Sequence, residues 1–393
     1  MLWRMSHIKT VVLTLALTAF GGGLTSCIQP PLHLPAEELL IDLPFVQTEM
    51  SLVWNLDAEW QNQWHYPWDT SDDLIFGKIE YPKPESFEVR RYFLGDEPAT
   101  PHTQNGMDSF PVVGYKFRRA FMFGYYDMLL WSNVITADGS QVLRISESDL
   151  DNTVATTSVT RSVTLRSNND EPAKTALYNQ PEIFYSSYPR DIFISNNSAD
   201  YDYYDEENKC WVKHLECSLQ PLVYIYLVQI IIHNNINGRV SNVSGDTAIS
   251  ALASSTNVNT GHTSSSPCLV YFNTRMKKDV DLNGEKVDII GGKLTTFGLC
   301  DMSGTNETKS ALYQGSMAHL NNYLIFELGM SGGSLQQQQV DVTEQLQSQC
   351  HGGVITIHLN AQEIENPRGG DGEGSMFNPV VDDYNELVYE IPM

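Results

Sequence analysis

Pro221-Leu222-Val223-Tyr224-Ile225-Tyr226-Leu227-Val228-Gln229-Ile230-Ile231-Ile232-His233 is the most apolar stretch of the chain beyond its N-terminal end. A bilayer core of about 30 Å needs about 20 apolar residues in a helix, so this run is too short to span one. It is rich in β-branched residues and reads as a buried strand. Shorter runs of the same kind recur on both sides of it. Before it come Ser86-Phe87-Glu88-Val89-Arg90-Arg91-Tyr92-Phe93, Arg119-Ala120-Phe121-Met122-Phe123-Gly124-Tyr125 and Val142-Leu143-Arg144-Ile145. After it come Cys268-Leu269-Val270-Tyr271-Phe272, Tyr323-Leu324-Ile325-Phe326-Glu327-Leu328 and Val354-Ile355-Thr356-Ile357-His358-Leu359, with Leu387-Val388-Tyr389-Glu390-Ile391 near the end. Helical periodicity is nearly absent, and short spaced strands with polar connections are the pattern of β-sandwiches. With 393 residues, 41% of them hydrophobic, the chain exceeds what one domain usually holds. The expected fold is all-β, in two domains.

One hairpin can be placed from sequence. Asp279-Val280-Asp281-Leu282 and Glu285-Lys286-Val287-Asp288-Ile289 bracket Asn283-Gly284, the dipeptide suited to a type I′ turn. The same residues begin like a calcium loop, but the twelfth position is Ile290 where a bidentate Glu belongs. A polar, acidic and aromatic stretch, residues 196–208, separates the two sets of strands and is taken as the domain boundary. The expected organisation is a leader over 1–26, a linker over 27–45, a first sandwich over 46–200 and a second over 201–393.

The leader follows from the N-terminus, where Arg4 and Lys9 precede an apolar run of about ten residues that ends in Gly21-Gly22-Gly23. Leu24-Thr25-Ser26-Cys27 then fits a lipobox, in which Cys27 carries a lipid. Pro30, Pro31 and Pro35 stiffen the segment after it. The formal charge is −24, and such a field repels phosphate backbones, which excludes nucleic acid as a partner. Of six cysteines, lipidation of Cys27 leaves an odd five. Cys210 and Cys217 flank a short loop in this reading and are the candidate disulfide.

Catalytic patterns are sparse. Gly329-Met330-Ser331-Gly332-Gly333 matches a nucleophile elbow literally, but the alternating strands and helices that an α/β-hydrolase needs before it are missing, so a glycine-rich turn between strands is favoured. The histidines are scattered without metal-ligand spacing, and the acidic run Asp200 to Glu207 reads as solvated carboxylates. No metal or cofactor is expected. Trp54, Trp60, Trp64 and Trp68, four of the seven tryptophans, fall within fifteen residues. Exposed indoles would stack on sugar rings, as in surface glycan-binding lipoproteins. Buried ones would pin the first strand and the following loop onto a sandwich, and packing is the favoured reading.

The sequence from Tyr323 to Leu328, then Val340-Asp341-Val342-Thr343-Glu344-Gln345-Leu346, then Gly352-Gly353-Val354-Ile355-Thr356-Ile357, then Ala361-Gln362-Glu363-Ile364 resembles the fimbrillin superfamily of Bacteroidetes. There a strand, an Asp-Val-Thr-x-x-Leu/Ile segment and a Gly-Gly-led strand recur in that order. The resemblance is clearest over 180–393. It implies two tandem transthyretin-like sandwiches, other fimbrial subunits as partners, assembly by strand exchange, and a place at the outer membrane through the N-terminal lipid. Shaft subunits of that type lose their lipidated first strand to an Arg- or Lys-specific protease. Residues 28–77 contain neither Lys nor Arg, so the candidate first strand, Gln47-Thr48-Glu49-Met50-Ser51-Leu52-Val53-Trp54, has no early cleavage point. This favours an anchor or accessory lipoprotein with a structural role. The alternating positions Leu387, Val388, Tyr389 and Ile391 form the candidate strand for exchange with a partner.

Overall fold

The computed structural model describes residues 37–42, 62–96, 107–133, 142–147, 150–165, 173–301 and 321–364, all-β apart from two short helices and two single 3-10 turns. Strands are numbered in chain order. Sheet I runs β12 (Tyr203–Asp205), β13 (Cys210–Glu216), β1 (Glu37–Asp42), β4 (Lys116–Phe121). Sheet II runs β14 (Gln220–Pro221), β10 (Tyr185–Ser187), β5 (Gly124–Ser132), β2 (Ser86–Gly95), β3 (Met107–Val113), with β11 (Ile192–Ile194) also on β5. These two sheets enclose a core that includes Phe87, Val89, Phe110, Phe121, Met128, Leu130 and Ile194.

The second sandwich pairs sheet III with sheet IV. Sheet III runs β19 (Arg275–Leu282), β20 (Glu285–Thr296), β15 (Tyr224–His233), β23 (Gly353–Asn360). Sheet IV runs β22 (Leu335–Asp341), β21 (Tyr323–Met330), β16 (Val240–Ala253), β18 (Pro267–Phe272), β9 (Ala173–Tyr178), β8 (Val159–Leu165). Tyr226, Val228, Ile230 and Ile232 of β15 meet Ile249, Val270, Phe272 and Phe326 across this core. A small sheet V, β17 (Ser255–Asn257), β7 (Thr153–Thr156), β6 (Arg144–Glu147), lies at the seam. There Tyr92, Leu129 and Trp131 of sheet II share a third apolar cluster with Leu143, Leu150, Ala155, Val223 and Phe297.

β15 is the quoted apolar stretch, and its eight inner residues are all buried. One face points into the sandwich. The other is covered by a strap, described from Asn62 onward, that includes helix α1 (Thr70–Phe76). The strap docks on Gln229, the one polar residue in the middle of β15, which is fully buried. Gln229 Oε1 accepts from the backbone N–H of His65 at 2.8 Å and of Tyr66 at 3.3 Å. Its Nε2 donates to the Gln63 carbonyl at 2.5 Å and to Thr356 Oγ1 at 2.9 Å. The Tyr66 ring lies over Gly291 of β20, where any Cβ would overlap it. Asp69 caps α1 in a capping box with Asp72. The buried Asp72 carboxylate accepts from Lys277 Nζ at 2.5 Å, Arg275 at 3.2 Å and Tyr66 Oη at 3.0 Å. Burial opposes the Asp72 charge, yet the Lys277 hydrogen bond and its other donors hold this carboxyl below the usual range.

The hairpin at Asn283-Gly284 forms as expected, with Leu282 paired to Glu285 and positive φ at both turn residues. Other expectations are corrected. Residues 37–42, assigned to the linker, form β1. The boundary near 200 falls inside the first sandwich, because β12, β13 and β14 still belong to sheets I and II and the chain crosses over between Pro221 and Tyr224. Conversely, β8 and β9 precede residue 200 but extend sheet IV through a parallel pairing of β9 with β18. The run 119–125 is broken into β4 and β5 at Gly124, whose φ of +132° and contacts with Phe93 and the Gly95 carbonyl exclude a side chain. Cys210 and Cys217 are both buried and are not joined by a disulfide. Cys210 opens β13 and Cys217 directly follows its last residue, seven positions on, and at about 3.3 Å per residue they stand far beyond disulfide reach. The stretch 47–54 lies outside the described residues.

Replacing Gln229 with Leu leaves the strap's N–H groups facing apolar surface, so unfolding free energy should fall by about 1–3 kcal/mol. Denaturant titration measures the loss. Hydrogen exchange should rise over 62–77 in both Gln229→Leu and Gly291→Ala, with β2 and β5 unchanged.

Candidate functional site

The described element nearest in sequence to the predicted lipid attachment point is β1. The strand pairs in parallel with β13, from Glu38 opposite Val212 to Asp42 opposite Glu216. On its other side it pairs antiparallel with β4, from Glu37 opposite Phe121 to Asp42 opposite Lys116. Among the described residues β4 ends the sheet, and β1 is what joins it to β13. An acidic segment, Glu37-Glu38-Leu39-Leu40-Ile41-Asp42, thus lies in register between Lys116, Arg118 and Arg119 of β4 and Lys213 and His214 of β13. Phe121 of β4 is held in the first core by Tyr126, ring centroids 4.9 Å apart, and Phe117 by Phe110 at 5.6 Å.

Arg118 ties the two outer strands of sheet I together. Its guanidinium donates to Asp205 Oδ2 at 2.7 Å and to Tyr203 Oη at 2.8 Å, both on β12. The Asp205 carboxyl also accepts from the side chain of Asn208, and these donors, Asn208 first and Arg118 next, hold it well below the usual carboxylate range. Asp202 accepts from the His214 N–H at 2.6 Å. These members of the acidic run are therefore structural acceptors around β12 and β13.

Trp64 and Trp68 are half-buried on the outer face of sheet III, beside Tyr66, Ile231, Val287 and Ile289. Ring centroids are 5.7 Å apart for Trp64 and Tyr66, 6.4 Å for the two tryptophans and 5.2 Å for Trp68 and Phe76. Trp68 Nε1 donates to Asp73 at 2.9 Å. Trp54 and Trp60 lie outside the described residues, as do Cys27, Leu387, Val388, Tyr389 and Ile391.

Ser331 lies in the turn between β21 and β22, where the Gly333 N–H donates to the Met330 carbonyl at 2.9 Å. Two histidines far apart in sequence do meet. Parallel pairing of β15 with β23 brings His233 Nε2 to 2.9 Å from His358 Nδ1, and His233 Nδ1 lies 3.0 Å from Glu285. Burial, and then the neighbouring His233 and His65, lower the His358 pKa below its ordinary 6.5. Among the described residues, no group of three or more His, Cys, Asp or Glu side chains is arranged to hold a metal ion.

Sequence reasoning missed β1, the docking role of Gln229 and the histidine pair. β1 carried a signal in Leu39-Leu40-Ile41, an apolar triplet between charges. Gln229 carried another as a lone amide within an apolar run. The histidine pair had none, because it depends on strand register.

The chain has structural likenesses among solved proteins. Among its neighbours are fimbrial proteins and candidate adhesins of Bacteroidetes. A candidate adhesin from Bacteroides ovatus is 15% identical at a TM-score of 0.48, with 87% of this chain and 99% of that one covered. The fimbrial anchor protein Mfa2 from Porphyromonas gingivalis is 12% identical at a TM-score of 0.38, covering 82% and 91%. The C-terminally truncated tip fimbrial protein Mfa3 from the same organism is 10% identical at a TM-score of 0.29, covering 78% and 82%. No family model and no curated protein matches the sequence.

Two outcomes follow from this geometry. Leu40→Pro removes a ladder donor from a strand paired on both sides, at a cost of about 3 kcal/mol or more. Hydrogen exchange should then rise over 116–121 and 210–216 and stay unchanged over 224–233. Because His358 has a lowered folded pKa, the unfolded chain binds the proton first, and stability is lost as pH falls below 6.5. Denaturant midpoints for His358→Asn should decline less than wild type from about pH 7 to about pH 5.

Proposed function

We propose that the chain is a lipid-anchored structural subunit, an anchor or accessory component, of a fimbria-like adhesive assembly at the cell outer membrane. The observation that carries this reading is the position of β1. Ten residues after Cys27 the chain enters the middle of sheet I, so a lipid on that cysteine is tethered to a strand paired on both sides. Residues 28–77 hold no Lys or Arg, and an Arg- or Lys-specific protease therefore has no site between the lipid and Lys78. The tether stays joined to the folded body, as a stationary subunit requires.

The residues that carry the fimbrillin resemblance support the assembly part of the reading. They fall on β21, on the β22 segment leading into α2 (Thr343–Ser348), and on β23 and the turn after it. Partners are other subunits of the filament, joined by strand exchange in which Leu387, Val388, Tyr389 and Ile391 are the candidate contribution of this chain. A donated strand satisfies edge N–H and C=O groups and buries its alternating side chains in one step. The positions of Trp64 and Trp68 support a packing role for that part of the tryptophan cluster, and Ser331 in a hairpin turn supports a structural role over a catalytic one.

Cys27→Ala should move the protein from the membrane fraction to the soluble fraction, and mass spectrometry of the native form should find lipid on Cys27. Deleting residues 385–393 should abolish co-purification with filament subunits while leaving the thermal midpoint near that of the full chain. A surface form that begins after Lys78 without lipid would sink the anchor reading.

A further inference from the structure

Between the two sandwiches lies an open groove of about 620 Å³. Its walls come from β10 and the residues after it, from the passage between β13 and β15, from the turn at Asn259-Thr260-Gly261, and from His351 ahead of β23. Each wall belongs to an element fixed by a sheet or by the seam cluster. The Asn259 amide, for example, donates to the Leu150 carbonyl at 2.8 Å, which fastens that turn to the seam.

The chemistry of the lining is specific. Ser186, Ser187, Glu216, Ser218 and Gln220 line this groove, and among the described residues none of their side chains is hydrogen-bonded to another protein group. The exposed Glu216, Ser218 and Gln220, at alternate positions, therefore keep donors and acceptors available along one cleft. The Tyr224 and His351 rings, centroids 5.1 Å apart and tilted by 59°, add an aromatic wall. Among the described residues no Lys or Arg lines it, and Glu216 is its one carboxylate. In a chain of net charge −24 this disfavours an anionic ligand, since no described side chain there is a Lys or Arg to offset a phosphate, sulfate or carboxylate. A single carboxylate is also a poor cation site, and hydroxyl and amide groups set beside Pro189, Pro221 and Leu222 suit a ligand with both polar and apolar faces better than a wholly apolar one.

A neutral polyhydroxylated ligand fits all of these constraints. We infer that the groove is a binding site for neutral saccharides. Hydroxyl, amide and carboxylate groups would pair with sugar hydroxyls, and Tyr224 or His351 would cover the C–H face of a ring. This site is distinct from the tryptophan cluster, which lies on the strap over sheet III, and it depends neither on a lipid nor on strand exchange.

The test is calorimetric titration of the purified chain with neutral hexose and N-acetylhexosamine di- and trisaccharides, with sialylated and sulfated sugars in parallel. At least one neutral sugar should bind with one-to-one stoichiometry. Glu216→Gln combined with Gln220→Ala, both exposed positions, should weaken it about tenfold or more, whereas Trp68→Ala should leave it unchanged. Thermal melts of each variant confirm folding. The inference is overturned by absence of heat with every neutral sugar at millimolar concentration, by preference for the anionic sugars, by binding that survives the double substitution, or by binding lost in Trp68→Ala.

Discussion

The side-chain amide of Gln229 is the interaction on which the arrangement of the chain turns. Placed alone among isoleucines and valines, an amide would leave its donors and acceptor unsatisfied at a cost of a few kcal/mol. Here the carbonyl receives two backbone N–H groups from the strap and the NH₂ reaches one strap carbonyl and Thr356. Each partner solves the other's problem. The strap's backbone at this point belongs to no sheet, and β15 needs its outer face covered because Ile231 and its neighbours are apolar on that side as well. Gly291 then leaves room for the Tyr66 ring, and Asp72 with Lys277 and Arg275 fixes the far end.

The strap also makes the two sandwiches interdependent. Reading along the chain, β1 lies in sheet I, the strap covers sheet III, β2 to β5 return to the first sandwich, and β8 and β9 extend sheet IV before β10 returns once more. The chain passes between the sandwiches several times, and the seam cluster around Trp131, Phe297 and Leu143 fills the space where it does so. A boundary drawn at one position in the sequence cannot divide such a molecule. The acidic stretch near residue 200 resembled a linker because it is polar, but its carboxylates accept from Arg118, Asn208 and the His214 N–H inside sheet I.

What the sequence discloses here is local. Strand identity at β2, β15, β18, β21 and β23, the two-residue hairpin at Asn283-Gly284 and the glycine-rich turn at Ser331 could all be read, since each depends on alternation, β-branching or turn chemistry within a few residues. What could not be read is long-range register. The cysteines at 210 and 217 are near neighbours in sequence and far apart along an extended strand, whereas the histidines at 233 and 358 are distant in sequence and in contact. The saccharide groove is assembled from segments that carry no motif, because single serines and a glutamine acquire meaning only once the seam brings them together.

The double pairing of β1 also has a mechanical consequence. Tension applied at its N-terminal end runs along the strand, while its hydrogen bonds to β13 and β4 lie across it. Extraction in that direction is a shearing event in which both ladders must slip together, unlike the residue-by-residue peeling of a strand pulled sideways from an edge. Sheet I is therefore oriented as a grip on its own N-terminus, and it should resist steady pulling far better than its small size suggests.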